Sequence, residues 1–125
     1  MTPQILLYNI TDPERKRKIK ALLLRLKIRA RIIEKSAYPD PVGRAAGMDI
    51  STADVSVVPP ADFDEEMLVF CFFSDALLNQ FLAGLRKSGL QIPLKAILTP
   101  SNCTWDSYRL HQEISAEHQK MHEKA

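Results

Sequence analysis

The chain has 125 residues, 46% apolar and 26% charged, ordinary for a soluble globular protein and enough for one core without metal or disulfide staples. A single domain over 1–125 is expected, and no apolar run nears the ~20 residues needed to span a bilayer. The formal charge of +2 is unevenly spread: residues 1–35 hold ten Lys/Arg and three Asp/Glu, net +7, and the remainder is net −5. Such a basic first third can meet nucleic acid, an anionic ligand or the acidic surface of a neighbouring subunit. The opening stretch MTPQILLYNITDPERKRK places its apolar run before its positive charges, the reverse of a secretory signal. Cys71 sits in an apolar run and Cys103 in a polar turn, so free thiols in a reducing cytoplasm are expected.

Ile5 to Tyr8 reads as strand one, ended by Asn9. Thr11-Asp12-Pro13-Glu14 is a helix start, with Thr11 as cap, Glu14 reaching back and Pro13 in the first turn. Helix one runs to about Leu26, its stripe being Ile19, Leu22, Leu23 and Leu26. Strand two spans Ile28 to Lys35; Ile28, Ala30 and Ile32 alternate with Arg29 and Arg31, the pattern of an edge. Residues 36–62 form a long irregular loop holding four of the eight Pro and two of the four Gly. Val42 to Met48 fits one helical turn and Asp54 to Val58 an extended piece. A connection this long inside a compact domain is usually functional or mobile.

Strand three, Met67 to Phe73, is apolar throughout, which places it centrally with both faces buried. Ser74 caps helix two, whose stripe is Leu77, Leu78, Phe81, Leu82 and Leu85, and Gly89 is placed for its C-terminal cap. Strand four, Leu94 to Leu98, alternates around Lys95 and reads as an edge. The third long helix is expected over 104–125, with Leu110, Ile114 and Met121 inward.

Strands one and three are therefore central and strands two and four peripheral. A ferredoxin-like βαββαβ sheet, order 4-1-3-2, satisfies this, and so does a parallel α/β sheet, order 2-1-3-4. The parallel sheet needs a crossover between strands two and three, normally a helix, and residues 36–62 offer at most one turn. The ferredoxin-like α+β sheet is therefore the expected fold, with the last helix, the long loop or a partner subunit covering its second face.

Five motifs carry a resemblance: ILLYN at 5–9, PVGRAAG at 41–47, FDEEMLVF at 63–70, LKAILTPSNCTW at 94–105 and EISAEH at 113–118. Together they resemble a small bacterial family known only as a domain of unknown function. The resemblance implies a bacterial cytoplasmic protein without an assigned activity and carries over no catalytic residue. In element order alone the chain is similar to PII-like signalling proteins. Those place a mobile loop between strands two and three, form trimers and bind nucleotides or small anions between subunits.

Candidate ligand-binding residues fall in two groups. Gly43 and Gly47 with Arg44 between them can cradle a phosphate, although GRAAG matches neither a P-loop nor a dinucleotide fingerprint. In the ferredoxin-like sheet Asn9, Gly43, Arg44, Gly47 and Glu66 would share one end. Thr99, Asn102 and Trp105 lie where strand four meets the last helix, and a helix N-terminus favours an anion. In the ferredoxin-like sheet they sit at the opposite end, near Ser74; in the parallel sheet Asn9, Ser74, Thr99 and Asn102 would converge. The plainer account of that turn is a cap from Asn102 or Thr104, with Trp105 packed on the sheet.

Asp64, Glu65 and Glu66 precede strand three, but neighbouring strand residues point to opposite faces and do not converge. His118 and His122 have the spacing of a helical metal pair without a clear third ligand, and no metal or cofactor is expected. Cys103 lacks a partner for nucleophilic chemistry. The nucleic-acid candidates are Arg15, Lys16, Lys18, Lys20, Arg29 and Arg31, with Tyr8, Phe70, Phe72 and Phe73 as sheet aromatics for base stacking.

The expectation is a non-enzymatic module, oligomeric, that binds a small anionic ligand or a protein partner and not a membrane. Nucleic-acid binding through residues 15–31 is the second class. An enzyme with a site at Thr99–Trp105 is the third.

Overall fold

A computed structural model describes residues 2–50 and 62–123, with side chains to Gln119. The expected extended piece at 54–58 and the side chains of Met121 and His122 lie outside the described residues. The strands are β1 (Gln4–Tyr8), β2 (Arg29–Ile33), β3 (Met67–Cys71) and β4 (Leu94–Ile97). The helices are α1 (Pro13–Leu26), a single turn α2 (Val42–Ala45), α3 (Asp75–Lys87) and α4 (Ser107–Glu123), and a 3-10 turn covers Lys35–Ala37.

The sheet order is β2-β1-β3-β4, and the sheet is mixed. β1 runs parallel to β2 and β3 parallel to β4, while the central pair β1·β3 is antiparallel, Tyr8 facing Met67 and Gln4 facing Cys71. This corrects the ferredoxin-like order; the order 2-1-3-4 is that of the alternative, but its strands are not all parallel, and strands one and three are central as expected. The reason lies in where strands end. β2 finishes at Ile33 beside Tyr8, and β3 begins at Met67 on the other side of Tyr8. The connection between them starts and finishes at one end of the sheet, so no crossover helix is required.

The two strand–helix–strand units are built alike. Each central strand is followed by a residue in the left-handed region, Asn9 at φ 61° and Phe72 at φ 64°. Each helix then closes on another, Lys27 at φ 59° and Gly89 at φ 72°, with Ile28 N–H donating to Leu23 C=O and Leu90 N–H to Leu85 C=O. These are Schellman closures, which satisfy carbonyls the helix leaves open. Gly89 was legible as such a cap; Lys27 was not.

At the helix starts, Ser74 accepts from Leu77 N–H as expected. Asp12, not Thr11, caps α1 by accepting from Arg15 N–H. The last helix begins at Ser107 rather than Thr104, with Asp106 accepting from Arg109 N–H.

Both faces of the central strands are covered. Ile5, Leu7, Leu68 and Phe70 meet α1 and α3 through Ile19, Leu22, Phe81 and Leu85. Leu6, Tyr8, Met67, Val69 and Cys71 meet the 34–46 connection, Phe63 and α4 through Tyr38, Val42 and Leu110. β4 alternates buried and exposed as an edge should. β2 does not: Arg29 through Ile32 are all exposed and only Ile33 is buried, so the expected inward Ala30 and Ile32 face solvent. Among the described residues no helix is long and apolar enough to cross a membrane.

Candidate functional site: a cleft between the β2 edge and α2

The face covered by α4 is threaded with polar groups. Tyr8, fully buried, has its hydroxyl 2.8 Å from Ser107 Oγ, itself 1% exposed. Burial holds the Tyr8 and Tyr38 phenols above the ordinary tyrosine range, so both keep their protons at neutral pH. Tyr38 donates to Asn9 Oδ1 at 3.2 Å. Asn9 Nδ2 in turn donates to the carbonyls of Phe63 and Glu65, at 3.1 and 3.0 Å. Tyr38, Phe63 and His111 form a stacked column, and His111 Nε2 lies 3.0 Å from Glu65 Oε1. Asn9 is therefore a stitch that ties the approach to β3 onto β1.

The single turn α2 is seated against the segment after β4. Val42 N–H donates to Trp105 C=O and Gly43 N–H to Cys103 C=O, both at 2.8 Å. A Cβ on Gly43 would lie 2.9 Å from that Cys103 oxygen and 2.7 Å from Ile50 Cδ1, so glycine is required by close packing. Gly47, at φ 89°, ends the turn. The N–H groups of a would-be phosphate cradle are thus already engaged. Gln4 Nε2 donates to Ala46 C=O, which puts α2 at the opposite end of β1 from Asn9.

The Thr99–Asn102 turn is closed on itself. Thr99 N–H donates to Asn102 Oδ1, Asn102 N–H to Thr99 Oγ1, and Asn102 Nδ2 to Ile97 C=O. Trp105 is partly buried and lies under Arg109, whose guanidinium is 4.4 Å from the ring centroid.

Between the edge of β2 and α2 lies a cleft of about 380 Å³. The buried Tyr8 and Ser107 hydroxyls form its floor, and the exposed Arg31, Glu34, Asp40 and Arg44 form its rim. Arg31 Nε donates to Ala45 C=O at 2.9 Å, and Arg44 Nε to Ile50 C=O at 2.8 Å, with Asp40 3.7 Å from Arg44 Nη1. These contacts fix where the two guanidiniums stand. Guanidinium forks match carboxylate and phosphate oxygens, and the neighbouring carboxylates accept from hydroxyl or ammonium groups. The hydroxyls of Tyr8 and Ser107 are paired with each other.

The structure divides the remaining candidates. Gly43, Arg44 and Gly47 share the end of the sheet with Thr99, Asn102 and Trp105, not with Asn9 and Glu66. Glu66 accepts a two-pronged bond from Arg15, which also donates to Gln91 C=O. A ligand candidate and a nucleic-acid candidate thus neutralise each other, joining α1 to β3. Glu65 points away to His111, as strand geometry required. Lys16, Lys20, Arg29 and Arg31 lie on α1 and β2, apart from Trp105. Tyr8 and Phe70 are buried, so the sheet presents neither for base stacking. Cys71 and Cys103 are buried free thiols, and burial pushes Cys71 up to about 12. Among the described residues no three His, Cys, Asp or Glu groups gather to hold a metal.

Sequence reasoning missed Tyr8, Ser107, Glu34 and Asp40 as parts of the cleft and placed Arg31 in another role. A tyrosine hydroxyl inside an apolar strand was the one available signal, because a buried hydroxyl needs a partner.

A family comparison bears on the second half of the chain. Residues 66–121 match the family described as Domain of unknown function (DUF3783). No curated protein and no solved structure matches. The matched segment holds β3, α3, β4 and most of α4, and contributes Ser107 to the cleft, whereas Arg31 and Arg44 lie before it. A wider groove of about 780 Å³ between α3, β4 and α4 lies wholly within the matched segment, with Leu82, Leu85 and Ile114 among its walls and Arg86, Lys95 and Glu117 of mixed charge around them.

Proposed function

We propose that this protein is a non-enzymatic binding module whose ligand is a small organic anion, taken between the β2 edge and α2. The observation that carries the reading is the pair of anchored guanidiniums, Arg31 and Arg44, above a cleft floored by buried hydroxyls. Glu34 and Asp40 on the same rim favour an anion that also bears hydroxyl or ammonium donors, because carboxylates repel a bare polyanion. A cytoplasmic setting fits two buried free thiols.

Thermal unfolding with a panel of inorganic phosphate, sugar phosphates, dicarboxylates and amino acids tests this. A ligand that binds only the folded state raises Tm with concentration. At least one class is expected to do so, and Arg31→Gln or Arg44→Gln to remove the shift while the ligand-free Tm holds. No shift from any class, or a shift kept by both variants, overturns the reading. Self-association is a second part of the proposal, favoured by Ile32 and Ile97, which are 53% and 54% exposed on the two outer strands. A native mass equal to one chain at all concentrations would refute it.

A further inference from the structure

The outer surface of the α1–α3 layer carries a feature that the cleft does not use. The two helices approach closely at Leu22 and Gly84, where a Cβ on Gly84 would lie 2.5 Å from Leu22 Cδ1. Above this contact runs a trough of about 340 Å³. Its walls are Arg17, Lys18, Arg25 and Lys87, and Ala21 lies between them with no side chain long enough to fill it. No carboxylate lines it. Arg17 is paired with Glu14 and Lys18 reaches Ser88 C=O at 3.5 Å, but Arg25 and Lys87 make no ion pair among the described residues. Lys16 and Lys20 continue the positive surface beyond Arg17.

From this geometry we infer that the α1–α3 trough binds the sugar–phosphate backbone of a nucleic acid. Arg17 and Arg25 stand two turns apart on α1, roughly 12 Å by helical rise. One phosphate cannot reach both, whereas a chain of regularly spaced anions can. The apolar stripe of α1, Ile19, Leu22 and Leu23, is already buried against the sheet, leaving Leu24 as the exposed large apolar side chain of the helix. A helix that lies in a lipid surface needs a whole apolar face for it, so a membrane is the poorer fit. The trough offers no aromatic platform, so contacts go to phosphates and are indifferent to base sequence. This set differs from the candidates read from the sequence: Arg17, Arg25 and Lys87 enter, Arg29 and Arg31 leave because they stand on β2, and Arg15 leaves because its pair with Glu66 is half-buried, whereas the Arg17–Glu14 pair is exposed.

Fluorescence anisotropy with a labelled single-stranded DNA oligonucleotide, repeated at rising salt, tests the inference on the full chain. Neutralising three or four phosphates predicts a log–log salt slope of about −2 to −3. Lys87→Glu is expected to weaken binding about tenfold or more and to flatten the slope. Ala21→Glu is the second variant. It stands one helical turn from Arg17 and from Arg25, so it preserves or improves the helix while filling the trough with opposite charge. It should lose binding with its Tm intact. Lys95→Glu on the far strand makes the same change in net charge as Lys87→Glu, a larger one than Ala21→Glu, and is expected to bind nearly as wild type. Equal loss in Lys95→Glu, undiminished binding by Ala21→Glu, or a slope near zero overturns the inference. So does displacement of the oligonucleotide by vesicles of anionic lipid that bind the protein equally well.

Discussion

On one side of the sheet, α1 and α3 close the core with a hydrocarbon cluster built around Ile5, Leu7, Phe70 and Phe81, and among the described residues the buried polar side chain, Ser107, lies on the other side. On the other, the 34–46 connection and α4 close it with a mixed set, in which Tyr8, Tyr38, Asn9, Ser107 and His111 each carry a hydrogen bond across elements. Hydrocarbon packing is indifferent to direction and tolerates a purely periodic sequence. A hydrogen-bonded face needs particular partners and leaves recesses between them, which is where the cleft lies. The apolar face holds the fold; the polar face is where chemistry can be displayed.

The largest expected effect tests that division directly. Phe81 is fully buried and meets Phe70 and Phe73 edge to ring. Phe81→Ala should cost about 3–5 kcal/mol in urea unfolding, close to the whole stability of many small domains. If it costs no more than a change on the α4 face, the contrast between the faces fails.

Next come the two close-packed glycines. Gly43→Ala drives a methyl toward a backbone oxygen, whereas Gly84→Ala meets the ends of two side chains, Leu22 and Arg25, which can shift. About 1–3 kcal/mol is expected for the first and less for the second. The reverse order would show that α2 is loosely seated.

The Tyr8–Ser107 pair sharpens the contrast further. Tyr8→Phe or Ser107→Ala strands one buried hydroxyl, at about 1–3 kcal/mol. The double variant should recover much of that, because neither group is then left unpaired. Additive losses would mean that the hydroxyls are not coupled.

The smallest effect near neutrality, growing with alkali, is one of pH. Cys71, Tyr8 and Tyr38 all belong to the α4 face, and burial raises each in the folded state. The unfolded chain loses these protons first, at about 9 for the thiol and 10 for the phenols. Their contribution is full below those values and is lost as pH rises through the folded ones. Urea midpoints should therefore fall above pH 9, and Tyr8→Phe should make the fall shallower.

Much of the layout was readable because apolar periodicity reports burial. The apolar run Met67 to Phe73 announced a central strand, although Phe72 turns at positive φ and the strand stops at Cys71, and the stripes of α1 and α3 announced the face they cover. Periodicity marks which strands are central but not which outer strand flanks which, so the exchange of β2 and β4 relative to the ferredoxin-like order was invisible to it. Caps were ambiguous where several side chains compete. Thr11 and Asp12 stand side by side, and Thr99, Asn102, Thr104 and Asp106 all lie before the last helix. The chain uses Asp12 and Asp106 for its helices and keeps Thr99 with Asn102 to close a turn. The cleft was least legible of all, since it joins Tyr8, Arg31, Arg44 and Ser107 from four separate elements.

The antiparallel seam also has a kinetic meaning. Each parallel pairing closes through its own short helix, while Tyr8 must find Met67 across the whole intervening chain. Long closures are entropically slower to reach than short ones, so the two crossover units are set to form early and the junction between them late. Substitutions at Leu6 and Val69, which face each other at its centre, should then slow refolding more than equally destabilising ones within α1 or α3.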